Sequence, residues 1–311
     1  MKAVTAFAPA TVANVSCGFD ILGFAIGDMG DRVKVSLSDQ PGLRVVSITG
    51  DGGRLPLEAE KNTCTVAIQA FLDRLNANQG LDISLMKGLP LGSGMGSSAA
   101  SAAAALMAVN ELMGTPFTKT ELVPFAMEAE RVACGAAHAD NVAPSILGGF
   151  VLIRDYAPLD IVKLPVPEGL YTTLIHPHIE LRTADSRSVL RRQISLQDAV
   201  VQSGNIAGLI SALYTSDLKL LGRSLKDVIA EPYRALLIPG FYELREAIQK
   251  AGALGSGISG SGPTLFVLSE SREIAAAVAK VSEEVYAKIG LGVDVSVAEV
   301  NPIGAYVIES V

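Results

Sequence analysis

Between Pro90 and Ala100 the chain reads Pro-Leu-Gly-Ser-Gly-Met-Gly-Ser-Ser-Ala-Ala and runs straight into an alanine-rich helix pattern from Ser101 to Met113. Few folds place such a join at random, because it is built to bring bare backbone up to an anion. Glycines at 92, 94 and 96 reach dihedrals that a Cβ forbids and leave N–H groups free to point at phosphate oxygens. The helix that follows adds further N–H groups and the positive end of its dipole. No Gly-x-x-x-x-Gly-Lys-Ser/Thr occurs, so this is not a Walker A loop, and Ser97 stands where the dinucleotide fingerprint wants glycine. A lone Gly-x-Gly reads equally well as a turn before a helix. Three alternating glycines followed by Ser97 and Ser98 favour a phosphate cradle.

With 311 residues the chain is long for one compact core, and one large or two medium domains are expected. Its 49 % hydrophobic content and mean hydropathy of +0.38 are largely alanine. The longest apolar run, Ala102 to Val109, is far too short to span a bilayer, so no membrane partner is expected. Pro9 interrupts the N-terminus before an apolar stretch can develop, which reads as no signal peptide and a cytoplasmic protein. Three scattered cysteines (Cys17, Cys64, Cys134) lack paired spacing and read as reduced packing thiols. A net charge of −7 without a basic run weighs against nucleic acid as a partner. Any anionic ligand must then be held by backbone donors and a few chosen cations.

Strand-like runs fall at Val33–Leu37, Leu43–Ile48, Asp82–Met86, Phe150–Ile153, Ile161–Leu164, Tyr171–Ile175, Thr264–Leu268 and Val293–Val300. Helical stripes intervene: Ile68, Phe71, Leu72, Leu75; then Ile206, Leu209, Ile210, Leu213; then Ile274, Val278, Val281, Val285, opened by Ser271 and closed by Gly290. These stripes are core faces. Three prolines between Tyr156 and Pro167 mark a domain junction, and we place one α+β domain on residues 1–160 and another on 161–311. Strands and helices mix without βαβ regularity, which favours two α/β sandwiches over a doubly wound parallel sheet.

Four further clusters match the loop in kind. Ala8 to Phe24 sets Asn14 and Asp20 in an apolar, glycine-bearing strand and turn. His138-Ala-Asp140-Asn141-Val-Ala-Pro follows a helix carrying Glu128 and Glu130. Thr183, Arg187, Arg191 and Arg192 lie together, and Glu231-Pro-Tyr-Arg234 adds another cation. Last comes Gly252-Ala-Leu-Gly-Ser-Gly-Ile-Ser-Gly260-Ser-Gly262-Pro-Thr264, a second glycine-rich turn before a strand.

Over nearly its whole length the chain resembles the family of galacto-, homoserine, mevalonate and phosphomevalonate kinases, and its homoserine kinase branch in the His138 and Glu231 motifs. The resemblance implies an N-terminal domain like domain 2 of ribosomal protein S5, a ferredoxin-like C-terminal domain, and an active site between them. It implies ATP and Mg²⁺ as cofactors and L-homoserine as acceptor. Nucleotide contacts would come from Asn62, Lys87, Pro90, Leu91, Gly92, Ser93, Gly94, Met95, Gly96, Ser97, Ser98, Ala99 and Ala100. Asn62, ahead of Thr63, reads equally as a helix cap. Ser98 and Glu130 would hold the metal, a hard cation that prefers oxygen ligands. Glu128 competes for that role, but two residues apart on a helix only one of them can face the site.

An amino-acid acceptor needs cations for its carboxylate and an anion for its ammonium. Arg187 and Arg234 supply planar forks for the first and Asp20 serves the second. Asn14, His138 and Gly260 complete the pocket by family correspondence, while Arg191 and Arg192 are left as surface charges. His176 and His178 flank Pro177 without a third ligand and read as loop residues. In mevalonate kinase-like relatives an aspartate seven residues before a Gly-Gly pair is taken as the base. That spacing from Gly148 lands here on Asn141, an amide. Asp140 is expected to point elsewhere. The implied mechanism is direct attack of the acceptor hydroxyl on the γ-phosphate, oriented by Asn141 with Thr183, Ser98 and Glu130, and no dedicated strong base. The rival readings are a mevalonate-, sugar- or shikimate-type kinase and a catalytically silent nucleotide-binding regulator. Oligomeric state is open, a homodimer included.

Overall fold

The computed structural model describes residues 2–135 and 137–311, and the Cys134 side chain lies outside the described part. One sheet of seven strands is built from β1 (Ala3–Ala13), β2 (Leu22–Leu37), β3 (Leu43–Thr49), β4 (Leu81–Met86), β5 (Phe150–Tyr156), β6 (Leu159–Leu164) and the last strand, β11 (Tyr306–Ser310). Its main path runs β11-β1-β2-β4-β3, and the β5–β6 hairpin attaches to the first residues of β2. Only the β3–β4 pair is parallel. One face is covered by α1 (Thr63–Leu75), α2 (Ser97–Leu112), α3 (Lys119–Cys134) and α4 (Val142–Leu147). α2 lies in the middle of this layer. Its alanines 99, 100 and 102–105 are all buried, because only a small side chain lets a helix pack closely on every side.

The second sheet, antiparallel in the order β10-β7-β9-β8, contains β7 (Tyr171–Pro177), β8 (Gly255–Ile258), β9 (Leu265–Ser269) and β10 (Val293–Glu299). Two helices, α9 (Phe241–Lys250) and α10 (Arg272–Lys288), pack on it through Phe241, Leu244, Ile248, Val278 and Tyr286. The short helices α5 (Thr183–Ser188) and α8 (Glu231–Arg234) flank the site, and α6 (Leu196–Thr215) with α7 (Leu218–Ser224) lies between them in sequence. A shared core of Phe24, Phe150, Leu209, Leu213, Phe266 and Leu268 joins the two halves, with the Phe24 ring 4.6 Å from Phe150 and 5.9 Å from Phe266. This α+β arrangement of two domains is the expected fold class.

All eight strand-like runs lie on or overlap strands, and the three apolar stripes lie on α1, α6 and α10. Ser271 caps α10 by accepting from the Ile274 N–H. Three expectations need correction. The chain leaves the first sheet only after Leu164, so a cut between residues 160 and 161 falls inside β6. Pro158 sits in the β5–β6 turn, while Pro165 and Pro167 mark the true exit. β11 then returns to pair with β1, so the first domain takes its edge strand from the end of the chain. His176 belongs to β7 and contacts Thr264 Oγ1 through Nδ1 at 2.9 Å. Cys17 and Cys64 are free and buried, and burial pushes both thiols up to about 12. Among the described residues no helix is long and apolar enough to cross a membrane.

Candidate active site

The glycine-rich loop leaves β4 and ends at α2, whose N-cap is Gly96 at φ 66°. A Cβ there would collide with Thr11 Oγ1, so both the dihedral and the space demand glycine. No side chain caps α2 and its first turn carries no acid, which leaves the leading N–H groups of the helix to a ligand. Gly94, at φ 80°, lies against the second glycine-rich turn: a Cβ would sit 2.6 Å from the Ser259 carbonyl oxygen. Ser259 Oγ donates to the Gly94 carbonyl at 2.7 Å, and the Thr264 N–H donates to that of Ser93 at 3.3 Å. The two glycine-rich turns, one from each domain, thus form a single wall.

Beneath the loop sits a closed polar network. Asp31 Oδ1 accepts from the Gly88 and Leu89 N–H groups at 2.9 and 3.3 Å. Asp31 Oδ2 accepts from Ser101 Oγ at 2.6 Å and from the Lys87 ammonium. Lys87 Nζ donates also to the Ser97 carbonyl at 2.8 Å and Ser101 Oγ at 3.0 Å. Its three hydrogens are therefore matched by three protein acceptors, and its side chain is 1 % exposed. Lys87 lines the cavity, while its charge is committed to Asp31. Asn62 caps α1, accepting from Cys64 N and donating to the Pro56 carbonyl, and also lines the cavity.

Ser98 Oγ donates to Glu130 Oε1 at 2.5 Å. Glu130 is buried, whereas Glu128 turns outward to Arg131 at 3.1 Å with about half its side chain exposed. The helix geometry thus separates the two candidates. Asp140, expected to point elsewhere, lines the same cavity. Burial first, then the charges of Asp20 and Glu130, push its carboxyl up to about 7.

Across the cavity, Asp20 takes both prongs of Arg187, at 2.8 and 3.3 Å. The same guanidinium donates to His138 Nε2 at 2.9 Å. A guanidinium has no lone pair to offer, so Nε2 must be unprotonated and the imidazole proton lies on Nδ1, on the Asp20 side. In agreement, burial lowers the His138 pKa. Arg234 is 4 % exposed and donates to the Ser186 and Gly260 carbonyls at 3.2 and 2.9 Å. Asn14, at φ 70°, donates to the Gly260 carbonyl and accepts from the Asp20 N–H, pinning the loop that presents Asp20.

Asn141 stands between the two halves. Thr11 Oγ1 donates to its Oδ1 at 2.7 Å, which turns the amide –NH₂ into the group available to a ligand. Thr183, the first residue of α5, reaches Ser261 Oγ at 3.5 Å. Together these residues line one cavity of about 400 Å³. Pro90, Met95, Ala99 and Ala100 do not line it: Pro90 faces solvent, while Met95, Ala99 and Ala100 pack inward. Residues not anticipated are Asp31 and Thr11, which strand pairing places, Ser101 on α2, Lys61 just before α1, and Ser261 in the second glycine-rich turn. Arg191 lies over the Tyr233 ring at 5.1 Å, and it and Arg192 are exposed.

Residues 62–149 match the GHMP kinases N terminal domain and residues 209–288 the GHMP kinases C terminal domain. Fold, cradle and match define the class, a small-molecule kinase of the GHMP type. The homoserine kinase of Chlorobium phaeobacteroides (strain BS1) is 54 % identical, across 99 % of this chain and 100 % of its own. That of Xanthomonas campestris pv. campestris (strain B100) is 39 % identical across 97 % and 92 %. The crystal structure of homoserine kinase from Cytophaga hutchinsonii superposes with a TM-score of 0.96 at 53 % identity, covering 99 % and 98 % of the two chains. At that similarity over the whole length, the chain belongs to the homoserine kinase family. Mevalonate kinase from L. major in complex with R-mevalonate, at 18 % identity and a TM-score of 0.70, shares the fold.

Proposed function

We propose that this chain transfers the γ-phosphoryl group of ATP to the hydroxyl of L-homoserine, giving O-phospho-L-homoserine and ADP for threonine biosynthesis in the cytoplasm. The observation that carries this reading is the Asp20–Arg187–Arg234 constellation beside the phosphate cradle in one cavity. Asp20 and Arg187 already form a neutral pair, and a zwitterion fits it without leaving a charge unmatched. The acceptor ammonium joins Asp20 while its carboxylate meets Arg187 and Arg234. Mevalonate brings no ammonium, so its carboxylate would draw Arg187 from Asp20 with nothing to offer Asp20 in exchange.

The cradle amides and the first turn of α2 receive the phosphate chain. Ser98 and Glu130 are hard oxygen donors beside that chain and fit Mg²⁺, which binds through one or two carboxylates plus phosphate oxygens. When bound, the ion neutralises charge on the transferring group. Asn141 donates from its amide to the acceptor hydroxyl or a phosphate oxygen and fixes the line of attack. Thr183 supports it from α5. An amide with its Oδ1 already taken by Thr11 accepts no proton, so positioning and charge neutralisation lower the barrier. The loose transition state needs no strong base: as the bond to the ADP oxygen breaks, the hydroxyl proton passes to an oxygen of the transferred phosphoryl group and from there to solvent.

Release of ADP, followed by a coupled assay across L-homoserine, mevalonate, shikimate and galactose, tests the reading. Homoserine should be turned over far faster than the other three. Mevalonate turnover above that of homoserine would overturn the acceptor assignment.

A further inference from the structure

Phe19 offers neither charge nor hydrogen bond, yet its ring meets both acceptor arginines. The Arg234 guanidinium carbon lies 5.2 Å from the ring centroid and that of Arg187 5.7 Å. Arg234 is a buried cation whose hydrogen bonds go to neutral carbonyls, and burial with the charge of Arg187 lowers its pKa. Two like charges therefore stand close together before any ligand arrives. An aromatic face carries a negative quadrupole and attracts each of them.

The loop that carries the ring is tightly bonded. Gly18 N–H donates to the Asn14 carbonyl and Ile21 N–H to that of Gly18, winding residues 14–22 into a tight loop. Asp20 N–H bonds Asn14 Oδ1 at 2.9 Å, and Tyr156 Oη donates to the Asp20 carbonyl at 2.7 Å. Resting on the homoserine reading above, we propose that Phe19 is a positioning residue. It holds Arg187 and Arg234 as one preformed carboxylate clamp and so sets the affinity for an α-amino acid acceptor.

Initial-rate kinetics on Phe19→Leu and Phe19→Tyr test this, with folding checked by circular dichroism and thermal melting. Leu keeps apolar bulk without the quadrupole; Tyr keeps the ring. Two cation–π contacts predict a rise of about 5- to 30-fold in KM for homoserine in Phe19→Leu, with kcat and KM for ATP within about twofold of wild type. Phe19→Tyr should stay within about threefold throughout. Inhibition by 3-aminopropan-1-ol, which is homoserine without its carboxylate, should be equal for wild type and Phe19→Leu, because nothing remains for the clamp to grip. The proposal fails on an unchanged homoserine KM in Phe19→Leu, on equal losses in the Leu and Tyr variants, or on an equal loss for the amino alcohol. If Phe19→Leu does not fold, Phe19→Met serves the same comparison. Should wild type prefer a different carboxylate acceptor, the function assignment falls while the clamp remains readable with that acceptor.

Discussion

The two halves of the cavity, the one proposed for the nucleotide and the one proposed for the acceptor, are made of different material. The nucleotide half is one continuous stretch of backbone, Leu91 to Ser98, whose chemistry is N–H groups and a helix end. The acceptor half is side chains delivered by four distant segments around Asp20, His138, Arg187 and Arg234. A backbone cradle recognises phosphate whatever base it carries, and it excludes side chains where a Cβ would collide, at Gly94 and Gly96. Side-chain recognition picks one acceptor and is lost one residue at a time. The same division lets one fold serve kinases with different acceptors.

The sharpest test of that contrast lies under the cradle, where one dependence on side chains is hidden. Asp31 and Lys87 are 0 and 1 % exposed and tie the start of the loop to the first turn of α2. Removing one partner of a buried pair strands the other charge, so Lys87→Met should cost about 3–5 kcal/mol of stability. The double change Asp31→Leu/Lys87→Met should recover part of it. Urea unfolding measures both, and a single-variant loss below about 1 kcal/mol would mean that the cradle needs no such clamp.

How much was legible follows the same division. Glycines, hydroxyls and a helix pattern in one stretch are a local signal, and the cradle could be read from it. β1 was legible only in part, as the apolar strand and turn from Ala8: its burial is continuous from Ala6 to Ala13, so the two-residue alternation that marks a strand is missing, and Pro9 interrupts it. β11 is a five-residue edge strand with mostly exposed side chains, and only its pairing with β1 defines it. Asp140 was expected to turn away from Asn141, whether by alternation or by a turn. The chain there is a turn entering α4, and both residues line the cavity. The acceptor residues carried their chemistry in the sequence, but their meeting depended on tertiary packing and on family resemblance.

Glu130 sits at the boundary of the two halves. Glu130→Gln keeps the shape and removes a charge from beside Ser98, and turnover should fall by about 10²–10³. Glu128→Gln touches only an exposed pair with Arg131 and should stay near wild type. Steady-state rates at saturating MgATP decide it; equal losses would remove Glu130 from the metal site. Smaller effects belong to the arginines. Arg187→Ala or Arg234→Ala should raise KM for homoserine about 10- to 100-fold, a charge-assisted contact contributing roughly 1.5–3 kcal/mol. ATP affinity falling just as far would show that these guanidiniums hold phosphate and would erase the contrast between the halves.

Asp140 gives the smallest effect and the most informative about chemistry. Its folded carboxyl titrates at about 7 instead of the usual 3.8, chiefly because it is buried, so the folded chain holds that proton more tightly than the unfolded one. Stability from this group is complete below about pH 3.8, shrinks as pH rises and is gone above about 7. Urea midpoints for wild type and Asp140→Asn should therefore converge in acid, with the variant gaining on wild type toward neutral pH. Arrival of a cation beside Asp140 favours its ionised form, so ligand binding near pH 7 should release protons. Calorimetry in two buffers of different ionisation enthalpy reads that release, and identical heats would mean that Asp140 keeps its state. If positioning dominates, Asp140→Asn should retain substantial turnover while Asn141→Ala, which removes the orienting amide, loses more. A loss of about a thousandfold in Asp140→Asn, with the acidic limb of the wild-type rate profile gone, would instead make Asp140 the base that accepts the hydroxyl proton.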